Sequence, residues 1–251
     1  MKKVFVLAML LVAFLISTGL MSKGVEAAAD CVSEVVTPSD VVPNVPIGTN
    51  PSTLPTGTRW VEFNRGTGTG DFVSGPAIPP KGVGSYNLVT PDSNAKLTLF
   101  NYEHIGTSLA AIDALSYYTY RDATSTANPV QAPALNIEID VNGGTLNPGE
   151  FATLVYEPVY NVTSQGPVVA GVWQDWDAYD GGQARWWVTG TNGVNSGCDA
   201  TEPLCSWNQI LAAFPNATIV GGFGVNQGGG NPGLIGYVDS LRISYNDTCI
   251  V

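Results

Sequence analysis

Histidine is nearly missing from this chain: His104 is the only one in 251 residues. No C-x-x-C pair is present either, so the usual ligand sets of zinc sites have no raw material. No G-x-S-x-G elbow accompanies His104, which leaves no case for an acyl-transfer triad, and the residue reads as structural or surface. Basic residues are also scarce, with 10 Lys and Arg against 21 Asp and Glu and a net charge of −11. Such a chain repels nucleic acid phosphates and anionic lipid. Charged residues make up only 12 % of the chain, which argues against coiled coils and charged tails. The glycine-rich GGFGVNQGGG at 221–230 lacks the G-K-[ST] of a phosphate loop. Its glycines fit close packing against bare backbone instead.

Long apolar runs are limited to one, Val4 to Ile16. Lys2 and Lys3 precede it and Ala27 to Ala29 follow, the layout of a secretory signal peptide over 1–29. No second run reaches spanning length, which predicts no membrane insertion and a soluble, secreted chain from residue 30. Losing Lys2, Lys3, Lys23 and Glu26 with the leader moves the net charge from −11 to −13. The four cysteines, Cys31, Cys198, Cys205 and Cys249, fit two disulfides in an exported protein. Three connectivities are open. The simplest pairs Cys198 with Cys205 and Cys31 with Cys249.

What the chain has in plenty is turn formers, 29 Gly and 17 Pro. Residues 30–58 carry Pro38, Pro43, Pro46, Pro51 and Pro55 and read as an extended lead-in. From Trp60 onward, short β-rich runs alternate with turns such as PDSN, NGG and DGG. In LNIEIDVN, Leu135, Ile137, Ile139 and Val141 share one face, and Asn136, Glu138, Asp140 and Asn142 share the other. The pattern predicts an all-β domain over 59–251, a two-sheet antiparallel jelly-roll-like sandwich. One short helix is expected at WNQILAAF, where Ser206 and Gln209 form a capping box and Pro215 stops the run.

KGVGSYNLVTPDSNAKLTLFNYEHIGTSLAAIDALSYYTYR, ALNIEIDVNGG, FATLVYEPVYN and FPNATIVGGFGVNQGGGNPGLIGYVDSLRI together resemble a group of bacterial secreted proteins. The resemblance spans most of residues 70–243 and implies secretion. A looser similarity joins Gly82-Val83-Gly84-Ser85-Tyr86-Asn87-Leu88 and Val238-Asp239-Ser240-Leu241 to jelly-roll carbohydrate-binding modules. That similarity implies a structural calcium ion where the first and last strands meet, with Glu62 and Asp239 in the comparable places. No cofactor is otherwise required. Glu138-Ile139-Asp140 matches the first half of the E-[IL]-D-x-x-E strand of laminarinase-like glycosidases. The final Glu is absent, which removes one of the two carboxyl groups such hydrolysis needs.

The densest candidate is VWQDWDAYDGGQARWW at 172–187, with four of the chain's six tryptophans. Flat aromatic faces can stack on sugar C–H faces, and carboxylates can accept sugar hydroxyls. Strand parity puts Trp186 on the core side and Trp187 outward, and places Trp173 with Asp175. The candidate ligand-binding set is Trp173, Asp175, Trp176, Asp177, Tyr179 and Trp187, joined by Glu138 and Asp140. The expected function is a secreted, non-catalytic carbohydrate-binding protein whose partner is a polysaccharide or glycan. The alternatives are a structural or adhesive protein with cell-surface or matrix partners, and a divergent glycoside hydrolase.

Overall fold

The computed structural model describes residues 31–246 and 248–251; the expected signal peptide lies outside them. Among the described residues, fourteen strands form two sheets. The eight-stranded sheet has the order β1(Val41–Pro46), β2(Trp60–Arg65), β5(Lys96–Asn101), β12(Thr218–Gly228), β7(Ala134–Asp140), β8(Phe151–Tyr156), β10(Arg185–Val188), β11(Cys205–Ser206). The six-stranded sheet runs β3(Thr69–Ser74), β4(Gly84–Thr90), β13(Leu234–Tyr245), β6(Ile112–Arg121), β9(Trp173–Asp177), with β14(Thr248–Ile250) on the far part of β13. All pairings are antiparallel except β1 with β2. The architecture is an all-β sandwich.

Alternation decides which residues fill the space between the sheets. In β7, Leu135, Ile137 and Ile139 enter the core, against Leu115 and Tyr117 of β6 and Leu88 of β4. A run of rings crosses from one sheet to the other. Tyr117 meets Tyr156 at 6.1 Å, Tyr156 meets Trp186 at 5.4 Å, and Trp186 meets Trp207 at 5.3 Å between centroids. Each ring removes about 150–250 Å² from water, and the edge-on first pair and tilted second and third avoid a face-to-face sandwich. Some buried polar groups bridge the sandwich: Gln227 Nε2 donates to the carbonyl oxygens of Leu88 and Leu234, and Tyr86 donates to Glu62 at 2.6 Å.

Both disulfides of the simplest pairing are present, Cys31–Cys249 and Cys198–Cys205. The first ties the two ends of the described chain together, and Val32 bridges Ile250 beside it. The Pro-rich segment is part of the sandwich, because β1 forms the edge of the eight-stranded sheet. An edge tolerates Pro43 and Pro46, which have no N–H to offer a further neighbour. Ile47 and Leu54 from this segment cover a small second core of Val45, Val61, Phe63 and Phe100 on that sheet's outer side.

The helix at 206–214 is α3(Trp207–Ala213), with Ser206 and Gln209 in a reciprocal capping box. Two further short helices correct the expectation of one: α1(Val162–Gln165) and α2(Gly190–Ser196). The NGVNSG segment reads as a turn by composition, yet it forms most of α2. Thr189 is extended at its start and Gly197 closes it in the left-handed region at φ 71°. VVAGVW also reads as a strand, but regular pairing begins only at Trp173.

Candidate functional site

The tryptophan-rich segment divides between core and surface. Trp176 and Trp186 are fully buried. The indole of Trp176 donates to Thr119 Oγ1 at 2.7 Å and that of Trp186 to the Ala178 carbonyl at 2.8 Å. Trp176 is therefore a core residue, and its membership in a ligand-binding set is corrected. It lies opposite Tyr117 in the β6–β9 pair, and both rings point between the sheets. Tyr179 packs against the core beside Trp207, with centroids 6.3 Å apart.

Trp173, Asp175 and Asp177 have the other parity and lie on the outer side of the six-stranded sheet. Register places Trp173 opposite Tyr120, and Tyr120 opposite Tyr237. The three rings form a row across β9, β6 and β13, with neighbouring centroids at 5.6 and 5.8 Å. The row continues to Asn87 on β4 and Asp71 on β3. One step along the strands, Asp175, Tyr118 and Asp239 form a second row parallel to the first. Three half-buried tyrosines, one half-buried indole and two carboxylates thus share one face.

The loop between β3 and β4 reaches across this face. Trp173 Nε1 donates to the Pro76 carbonyl at 2.9 Å, and the Lys81 N–H donates to Asp239 Oδ2 at 2.7 Å. The loop fixes the indole and shields part of the surface from water. Burial raises the Asp175 carboxyl above the ordinary range, with a Tyr118 hydrogen bond opposing the rise. Burial likewise raises Asp239, against the two backbone N–H groups of Lys81 and Ser240. Beside Asp239 the β13–β6 register shifts, and Ser240 takes a left-handed φ of 53°. A non-glycine residue in that region costs on the order of 1–3 kcal/mol and is held by its surroundings.

Trp187, Glu138 and Asp140 belong to the outer side of the other sheet. Trp187 faces Val155 there, and its indole donates to Glu157 Oε2 at 3.0 Å. Glu138 accepts from the Gly222 N–H at 2.7 Å, and burial raises its pKa. Gly222 and Gly224 are needed there: a β-carbon would run into the Phe100 ring at the first and the Leu99 carbonyl at the second. Asp140 is completely buried and accepts from the Asn142 N–H at 2.9 Å. The sandwich core separates these residues from Trp173 and Asp175, so the eight candidates do not form one site.

Glu62 and Asp239 are not neighbours on a common face. Glu62 is buried between the sheets with Tyr86, whereas Asp239 points outward from β13. Among the described residues, no group of three or more His, Cys, Asp or Glu side chains is placed to hold a metal ion. Sequence reading passed over Tyr118, Tyr120 and Tyr237. The alternation in SYYTY was the available signal, since it puts Tyr118 and Tyr120 on one face and Tyr117 on the other.

No protein-family model, curated protein or solved structure matches this chain.

Proposed function

We propose that this chain is a secreted, non-catalytic carbohydrate-binding protein, and that the outer face of its six-stranded sheet holds the glycan. The observation that carries this reading is the Tyr237–Tyr120–Trp173 row beside Asp175, Tyr118 and Asp239. Half-buried rings give the apolar faces of sugar residues something to stack on without a full desolvation cost. The carboxylates and phenols supply directional acceptors and donors for hydroxyls, which fix orientation in an otherwise aromatic surface. Two disulfides accord with an oxidising, extracellular setting. No helix among the described residues is long and apolar enough to cross a membrane.

A panel of soluble polysaccharides in affinity electrophoresis tests the reading, with the native chain beside Trp173→Ala and Tyr237→Ala. Retardation by one polysaccharide class, lost in both variants, supports it. Equal mobility of all three proteins in every gel counts against it. A parallel run with calcium and with chelator tests whether Asp239 recruits an ion when glycan is present.

A further inference from the structure

A cavity of about 610 Å³ opens between the two sheets at the end where the segment after Cys31 meets Ile250 and Val251. Its inner end is formed by Tyr117 and Phe223, which are 0 % and 1 % exposed. Trp60, Tyr86, Val225 and Ile243 extend the wall outward. Close-packed interiors rarely leave voids larger than a water molecule. This volume instead falls within the roughly 300–1,000 Å³ of small-molecule sites. The wall is largely apolar and offers ordered water few partners.

The mouth is marked by lining residues that are themselves exposed. Val35 is 82 % and Val83 is 81 % exposed, on the segment after Cys31 and on the loop before β4. Apolar side chains at the rim guide an apolar ligand inward. Two charged groups of the lining, Glu34 and Asp239, already have partners, and the Lys81 side chain is exposed at the rim. Glu34 pairs with Arg59, and the Lys81 N–H holds the Asp239 carboxylate.

The wall offers an entering molecule few polar groups: Trp60 Nε1 has no hydrogen-bond partner but is itself covered on all sides. Asn101 is occupied with Glu103, and His104 faces the Tyr245 hydroxyl at 3.3 Å. The Tyr86 hydroxyl is committed to Glu62, so a second carboxyl group beside it would be unfavourable. We propose that the cavity binds a neutral, elongated, largely apolar molecule, such as a long-chain ester or ketone, held by burial of its hydrocarbon surface against this wall. This site borders the proposed glycan face at Asp239, but its apolar interior does not depend on that reading.

The probe is Nile red, a neutral apolar dye with one carbonyl oxygen, titrated into the purified chain. Saturation at one dye per chain with blue-shifted emission is expected. Leu241→Trp, which fills the cavity from a half-buried position near the mouth, should abolish the signal. Val36→Trp, which fills the cavity from a second half-buried lining position, should do the same. It serves the same purpose if Leu241→Trp fails to fold. Absence of saturable binding overturns the proposal, as does unchanged affinity in folded Leu241→Trp. Unchanged affinity in folded Val36→Trp overturns it as well.

Discussion

The indole N–H of Trp173 and the carbonyl oxygen of Pro76, 97 positions apart in sequence, form a hydrogen bond of 2.9 Å. It joins the edge strand β9 to the loop that leaves β3 on the opposite edge of the same sheet. The bond sets the indole's angle over Tyr120 and so shapes the whole aromatic row.

Replacing Trp173 should therefore separate function from folding. Trp173→Ala is expected to lower glycan affinity roughly thirtyfold, about 2 kcal/mol, as for a central aromatic contact. Its melting temperature should fall only slightly. Trp176→Ala, three residues on, should instead cost about 3–5 kcal/mol of stability by opening a core cavity. Isothermal titration and thermal unfolding on the two variants check the contrast; equal losses of stability would move Trp173 into the core.

Glycan binding should also respond to acid. The Asp175 carboxyl is raised by burial, so it takes up a proton at a pH above its ordinary value of 3.8. A protonated carboxyl is a poorer acceptor for sugar hydroxyls. Affinity is expected to be full at neutral pH and to fall as pH drops through the raised value. In Asp175→Asn the affinity should be lower at pH 7 and its fall with acid shallower, leaving only the part due to Asp239. A profile unchanged by the substitution would remove Asp175 from the site.

Glu138 predicts a different dependence, on stability. Burial raises its pKa above the ordinary 4.5 in the folded chain. A raised acid is a cost that is absent below 4.5 and appears as pH rises through the folded value. Glu138→Gln keeps an acceptor for the Gly222 N–H and removes that cost. Its melting temperature should exceed the native value by about 1–3 °C at pH 7 and converge with it below pH 4.5. A destabilised variant at pH 7 would mean that the carboxylate's own interactions outweigh its burial.

The two disulfides should differ in weight. Cys31–Cys249 closes a loop with a sequence separation of 218, and Cys198–Cys205 one of 7. Chain entropy alone assigns them about 5 and about 2 kcal/mol. Cys31→Ser with Cys249→Ser should therefore unfold at lower denaturant than Cys198→Ser with Cys205→Ser. Urea titrations of the two double variants decide the order. The first pair should also weaken Nile red uptake, because it anchors the segment bearing Val35 at the cavity mouth.

Local pattern made much of this molecule legible. Period-two alternation in LNIEIDVN fixed which side chains of β7 enter the core, because successive residues of a strand point to opposite faces. The Ser206–Gln209 capping box marked the start of α3, since its hydrogen bonds span only three residues. Parity within ARWWVT separated Trp186 from Trp187 for the same local reason. Composition argued against histidine metal chemistry and nucleic acid partners without any coordinates.

Which strands lie side by side was decided by tertiary packing. Parity could place Trp173 with Asp175, but not beside Tyr120 and Tyr237. Those neighbours come from β6 and β13, brought together by inter-strand hydrogen bonds between residues far apart in the chain. The same pairing put Glu138 and Trp173 on opposite sides of the sandwich, although both are outward by pattern. A sequence records the face of each strand, whereas the sheet it joins depends on burying all apolar faces at once. The cavity under Trp60 belongs to that second level, because it is the space left where the two sheets diverge and no single segment encodes it.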